Sequence, residues 1–115
     1  MKQPYRHRVN EREFLNLPGF HEGAYVMAYV ENTSERGSER CEHTGNKYNP
    51  HPRMLLQIAD CDSRISLDFD ISSPHRRMNS FHKIQTLIDA LEAFKAGMAE
   101  ESTLYKRRER EVTAP

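Results

Sequence analysis

The spacing of apolar residues between positions 24 and 71 predicts three β-strands. Residues 24–30 are apolar at every position, so both faces of this strand carry apolar side chains. Residues 54–59 and 64–71 flank a polar stretch at 60–63, which suits the tight turn of an antiparallel hairpin. Apolar and polar residues alternate over 64–71, and we expect one face of this strand to lie in the core: Ile65, Leu67, Phe69 and Ile71.

The N-terminal segment fits two different patterns. Asn10-Glu11-Arg12-Glu13 resembles the capping box of a helix. Phe14-Leu15-Asn16-Leu17, which stands before Pro18-Gly19, is equally typical of a short edge strand. We favour the strand, which would give the sheet a fourth member.

From about Asn79 the apolar residues recur at spacings of three and four, which predicts a helix with one apolar stripe. Asn79 or Ser80 is the preferred start, and Ser73-Pro74 is the alternative. The helix is expected to continue past Gly97 to about Arg110 and to outrun the sheet. The stripe is expected to cover the sheet: Phe81, Ile84, Leu87, Ile88, Leu91, Phe94 and Met98.

Together these elements predict an α+β fold, with an antiparallel sheet of three or four strands packed against one long C-terminal helix. We expect a single small domain over residues 1–115. Residues 31–53 contain no Leu, Ile, Val or Phe, and this predicts a long polar loop. Residues 1–9 and 111–115 are predicted to be flexible tails.

Charge and composition narrow the range of functions. Seventeen basic and seventeen acidic residues give a net charge of zero, which argues against a dedicated polyanion binder. No segment has the roughly 18 consecutive apolar residues of a membrane span, and residues 1–6 lack the apolar region of a secretory signal. We therefore expect a soluble, cytoplasmic protein that does not bind membranes. Two cysteines are too few for a disulfide framework.

Two groups of residues raise the question of metal binding or catalysis. Cys41, His43, His51 and Cys61 offer zinc ligands, but their spacing is not that of a structural zinc site. The Asp-x-Asp pairs at 60–62 and 68–70 suit a divalent cation, but they also fit a turn and the polar face of a strand. We interpret both groups as ordinary surface residues. The sequence therefore predicts no metal, no cofactor and no enzymatic activity.

Other residues suggest binding surfaces. Tyr25, Met27 and Tyr29 share one strand face, and aromatic side chains on a sheet can stack single-stranded bases. Asp68 and Asp70 are expected beside them and would repel phosphates. Leu104 and Tyr105 form an apolar pair on the expected overhang of the helix. Basic residues lie before the helix and at its end: Arg76, Arg77, Lys106, Arg107, Arg108 and Arg110.

Five segments carry a resemblance to known proteins. They are Leu15–Gly19, Leu56–Asp60, Ile65–Phe69, Asn79–Ile84 and Leu87–Leu91. In these segments the chain resembles small uncharacterised proteins of actinobacterial phages and prophages. The resemblance rests on fold-forming residues and carries no activity. It implies a setting in which small non-enzymatic proteins bind a host or phage component.

These observations predict a small non-enzymatic binding module, which acts as a phage accessory protein on a host or phage protein in the host cytoplasm. We expect it to self-associate through Leu104 and Tyr105, and we expect its binding surface to include Tyr25, Met27 and Tyr29. The alternative is a single-stranded nucleic-acid binding protein. It would use Tyr25 and Tyr29 together with the basic helix ends, brought together in a dimer.

Overall fold

The computed structural model describes residues 6–34 and 51–113, in which four β-strands precede one long helix. The strands form one antiparallel sheet in the order β1-β2-β3-β4, so each strand pairs with its neighbours in sequence. This confirms the predicted α+β class, with a four-stranded antiparallel sheet and a long C-terminal helix. The elements are β1 (His7–Phe14), β2 (Tyr25–Glu31), β3 (Met54–Asp60), β4 (Ser63–Leu67) and α1 (Pro74–Thr113).

The central strand β2 contains mostly β-branched and aromatic residues, which favour a pleated, covered position. Every residue of β2 is half-buried. The edge strand β1 is mostly exposed and carries four charged residues besides its histidine. Charged side chains on an edge strand oppose pairing with a second sheet. The other edge strand, β4, has only five residues, and its short length also opposes pairing with a second sheet.

The connection between β1 and β2 contains a type II turn at Leu17-Pro18-Gly19-Phe20. The Phe20 amide donates to the Leu17 carbonyl at 3.1 Å, and Gly19 has a φ of 91°. A type II turn favours proline at its second position and glycine at its third.

The prediction of a strand in the N-terminal segment is confirmed, but its predicted position at residues 14–17 is wrong. β1 ends at Phe14 and includes the segment 10–13 that resembles a capping box. Residues 7–9, expected in a flexible tail, are the first three residues of β1. Pairing with the strongly β-forming strand β2 outweighs the local helical signal of a charged segment.

The predicted strand over 64–71 is too long, because β4 ends at Leu67. Beyond it the Ser72 amide donates to the Asp70 carboxylate at 2.8 Å, the local side-chain-to-backbone bond of an Asx turn. The predicted burial of Ile65 is also wrong, since this side chain is 56% exposed. Ile65 lies on an edge strand, where it has a neighbouring strand on one side only.

The best-covered part of the sheet lies in and beside β2 and β3. Ala24 and Ala59 are buried, at 4% and 1% exposure. Val26 pairs with Ile58 in the register between these strands. The face that Val26 and Ile58 share also carries the other apolar residues of these two strands on that side, which are half-buried: Ala28, Val30, Met54 and Leu56.

The helix begins at Pro74, so the predicted start at Asn79 or Ser80 is wrong and the alternative at Ser73-Pro74 is correct. Proline suits the first helical position because its φ is fixed near the helical value and it has no amide hydrogen to leave unpaired. The prediction that the helix continues past Gly97 is confirmed. It reaches Thr113, so residues 111–113, expected in a flexible tail, are helical.

The apolar stripe of α1 is largely exposed. Phe81 and Phe94 are each 68% exposed, and Ile84 and Leu87 are half-buried. The predicted burial of the whole stripe is therefore wrong for its five exposed members: Phe81, Ile88, Leu91, Phe94 and Met98.

The chain divides into two compact units, Met1–Ser73 and Pro74–Pro115. The first unit contains the sheet and the second contains α1. The prediction of one domain stays a prediction. None of the helices among the described residues has the length and apolarity that a membrane crossing requires.

The two ends of the predicted 31–53 loop are hydrogen-bonded to each other. The Glu31 amide donates to the Arg53 carbonyl at 2.8 Å, and the Arg53 amide donates to the Glu31 carboxylate at 3.0 Å. Residue 31 belongs to β2, so the connection begins one residue later than predicted. Residues 35–50 lie outside the described residues.

Candidate functional site

The sheet register places Tyr25, Met27 and Tyr29 on one face of β2. Met27 is flanked by Arg12 of β1 and Gln57 of β3. We call these five residues the tyrosine face. The three β2 side chains are half-buried, so each has a covered part and a part that is open to a ligand.

Positively charged groups lie against both tyrosines of the tyrosine face. The Arg12 guanidinium carbon is 4.5 Å from the centre of the Tyr25 ring, and that of Arg53 is 6.0 Å from the centre of the Tyr29 ring. The His7 and Tyr29 ring centres are 6.1 Å apart. A cation over an aromatic face is attracted by the negative potential of the ring, and this holds the arginines near the tyrosines.

The expectation that Asp68 and Asp70 lie beside Tyr25 and Tyr29 stays a prediction, because neither aspartate belongs to a strand whose register would place it. Both aspartates follow the end of β4, and Asp70 accepts a hydrogen bond from the Ser72 amide. The register positions beside Met27 hold an arginine and two uncharged polar residues, Arg12, Gln57 and Ser66. The Gln57 side chain donates to the Ser66 hydroxyl at 3.3 Å.

The basic residues predicted as binding residues all lie on α1. Arg76 and Arg77 belong to the first turn of the helix rather than to the segment before it, and the first turn contains no acidic residue. Arg107 and Arg108 lie near the other end, about 45 Å away at 1.5 Å per residue. A single helix therefore does not bring its two basic ends together.

Leu104 and Tyr105, predicted as a self-association surface, lie in the last third of α1. Tyr105 is 65% exposed and Leu104 is half-buried. Tyr105 belongs to a row of apolar residues that recurs every seven positions, which we call the helix seam: Ile84, Leu91, Met98, Tyr105 and Val112. Four of the five are exposed, Val112 the most at 84%.

A cluster of three potential metal ligands joins two turns of the sheet. His21 lies in the connection between β1 and β2, and Asp60 and Cys61 lie where β3 turns into β4. One ligand atom from each lies within 4.8 Å of the others, and all three residues are exposed. We call these three residues the turn cluster.

The turn cluster differs from the four zinc ligands that the sequence suggested. Cys61 belongs to both sets, whereas Cys41 and His43 lie outside the described residues. His51 is described but is not part of the cluster. Sequence reasoning missed His21 because 40 positions separate it from Cys61. The sequence did contain a signal for their proximity, because both residues lie in predicted turns. In an antiparallel sheet the β1–β2 and β3–β4 turns lie at the same end.

No known protein family matches the chain, and neither the curated proteins nor the solved structures contain a significant match to it.

Proposed function

We propose that the chain is a small non-enzymatic binding module that acts as a homodimer formed through α1. The exposed helix seam carries this proposal. A 40-residue helix with apolar side chains exposed along its length gains stability when those side chains are covered. The proposed occupant of the seam is a second copy of the same chain.

The spacing of the helix seam supports another helix as the partner. A row that recurs every seven residues stays on one side of a helix only if two helices coil around each other. In the first half of the seam, Leu87 and Phe94 stand three residues after Ile84 and Leu91, which completes the two apolar positions of a coiled-coil heptad. In the second half, polar residues stand at the corresponding positions: Glu101 and Arg108.

The charges on α1 support an antiparallel pair. Asp89 and Glu92 form an acidic stretch, and residues 106–110 form a basic stretch. A parallel pair in register would set like charges opposite each other. An antiparallel pair centred near residue 99 sets the acidic stretch of one copy opposite the basic stretch of the other, which favours association. Leu104 then flanks the seam beside Tyr105.

We propose the tyrosine face as the surface that binds a separate protein. Tyrosine and arginine are enriched among the residues that contribute most to protein interfaces, and Tyr25 and Arg12 are in contact here. The positive groups beside the tyrosines favour an acidic segment of the partner. The resemblance to phage and prophage proteins makes a host or phage protein in the host cytoplasm the proposed partner.

The second candidate function is binding of single-stranded nucleic acid on the tyrosine face. The arginine contacts favour it, because bases stack on tyrosine rings while guanidinium groups neutralise phosphates. In this second function Arg12 and Arg53 supply the nearest positive charge. The basic ends of α1 lie too far apart on one helix to act together.

Substitution of Met98 tests the proposed dimer. We expect Met98→Glu to convert the dimer to a monomer, because an antiparallel pair centred near residue 99 brings the two new carboxylates close together. Ala96→Glu is the matched control, since it adds the same charge two residues away on the outer side of the helix. Sedimentation equilibrium of both variants and the parent chain gives the masses.

A monomeric parent chain would overturn the proposal, and so would a Met98→Glu variant that keeps the dimer mass. Circular dichroism of each variant establishes that the helix is retained. Loss of the dimer in Ala96→Glu alone would show that a different helix face forms the interface, which also contradicts the seam.

A further inference from the structure

We propose that the turn cluster of His21, Asp60 and Cys61 is a zinc site. The three residues offer an imidazole nitrogen, a carboxylate oxygen and a thiolate sulfur, which are the three donor types that zinc binds in proteins. They come from two separate turns, so a bound ion would tie the β1–β2 connection to the β3–β4 turn.

The distance between the two strongest ligands fits tetrahedral zinc. The Cys61 sulfur lies 3.7 Å from Nδ1 and 3.5 Å from Nε2 of His21. Zinc–sulfur and zinc–nitrogen bonds of about 2.3 and 2.0 Å at a tetrahedral angle separate the two ligand atoms by about 3.5 Å. The separation of the ligand atoms matches this value. Because the sulfur is almost equidistant from the two ring nitrogens, it lies off the lone-pair direction of both, so the exposed imidazole must turn about its side-chain bonds to share one ion with the thiolate.

Local contacts hold His21 beside the Cys61 turn. The Gly23 amide donates to Nδ1 of His21 at 3.0 Å, and the Asn16 side chain donates to the His21 carbonyl at 2.6 Å. The Cys61 amide donates to the Gly23 carbonyl at 3.2 Å, which joins the two turns through the backbone. The Asn16 and Cys61 bonds use no ligand atom, so they hold the two turns together with or without an ion, whereas an ion at Nδ1 takes the place of the Gly23 amide.

The hydrogen bond from Gly23 selects the zinc-binding nitrogen. Because Nδ1 of His21 accepts this bond, the neutral ring carries its proton on Nε2. Zinc at Nδ1 replaces the Gly23 amide and leaves that proton in place. As the zinc–sulfur bond forms, the Cys61 thiol gives up its proton to solvent, so zinc binding releases protons.

The ligand set favours zinc over the common hard cations. Calcium and magnesium prefer shells made entirely of oxygen, whereas a thiolate and an imidazole suit zinc. The three ligands found among the described residues leave one tetrahedral position, which water or a group from a binding partner can take. The exposure of the cluster makes that position accessible.

Titration with Co²⁺ and Zn²⁺ tests the site. We expect one equivalent of cobalt to produce the near-ultraviolet absorption of a thiolate–cobalt bond, zinc to displace it, and zinc to raise the melting temperature of the parent chain. Cys61→Ser should abolish the absorption. His21→Gln and Asp60→Asn should each weaken zinc binding at least tenfold.

Asp62→Asn and Cys41→Ser are the matched controls, because Asp62 is the neighbouring acid of the same turn and Cys41 is the second cysteine of the chain. Both should keep the cobalt absorption and the zinc affinity. The absence of the absorption in the parent chain would overturn the proposal, as would an unchanged zinc affinity in Cys61→Ser. Circular dichroism without metal verifies that each variant folds, so that a loss of binding reflects the lost ligand.

Discussion

At the scale of single residues, Gly23 determines whether the turn cluster can form. A β-carbon at this position would lie 2.2 Å from Cε1 of His21, which is closer than two such atoms can approach. Only glycine lets the imidazole lie against the backbone and accept the Gly23 amide hydrogen bond. The sequence shows a glycine in a turn, whereas its neighbour across the turn is visible only in the folded chain.

We predict that Gly23→Ala displaces His21, lowers the free energy of unfolding by less than about 1 kcal/mol and weakens zinc binding. The physical reason is the clash between the new methyl group and the imidazole. Urea denaturation measures the first effect, and zinc titration measures the second. Glu22→Ala, at the exposed neighbouring position, should change neither quantity measurably. A Gly23→Ala variant with parental zinc affinity would contradict this role of the close approach.

At the scale of the elements, α1 shows where local sequence signals suffice. Residues 79–98 have a clear helical period, and Ser73-Pro74 is typical of a helix start. The later start at Asn79 or Ser80 was wrong because capping residues also occur inside helices, where tertiary and local context decide. The strands show the opposite case, since β4 ends at Leu67 although alternation continues to Ile71. A strand needs a paired neighbour, and alternation does not reveal where pairing stops.

We predict that Gly97→Ala raises the free energy of unfolding by about 0.5–1 kcal/mol. Gly97 lies inside α1, and a β-carbon there would meet no other atom within 4 Å, so alanine adds helix propensity without a clash. Ala96→Gly, one residue earlier on the same helix, should lower the free energy of unfolding by a similar amount. Denaturant unfolding of the two variants checks both signs. A destabilised Gly97→Ala variant would contradict an open helix surface at this position.

At the scale of the whole molecule, the net charge of zero conceals local differences. The tyrosine face has Arg12 and Arg53 beside its rings, while α1 has an acidic middle and a basic end. The net charge of the chain therefore does not exclude a charged binding partner, because a partner interacts with local electric fields that extend about one Debye length. The local positive charge of Arg12 and Arg53 therefore leaves open the second candidate function, binding of single-stranded nucleic acid.

If the tyrosine face binds single-stranded nucleic acid, the affinity for a fluorescent oligothymidine should fall steeply with salt, by a slope of about −0.7 per phosphate contacted. Tyr25→Ala and Tyr29→Ala should each cost about 1–3 kcal/mol of binding free energy through lost stacking. Phe20→Ala, which removes an exposed aromatic side chain in the β1–β2 connection, is the control and should bind like the parent chain. Fluorescence anisotropy measures all three variants. Affinity that is insensitive to salt and to both sheet tyrosines would argue against this function.

The sequence by itself determined the type and order of the main elements and the face shared by Tyr25, Met27 and Tyr29. These follow from periods of two and of three to four, which are local properties of the backbone. Tertiary structure decided the ends of the strands, the exposure of Ile65 and the approach of His21 to Cys61. Each of these features depends on which strands are neighbours and in what register they pair. The local pattern of apolar and polar residues does not reveal contacts between residues 40 positions apart.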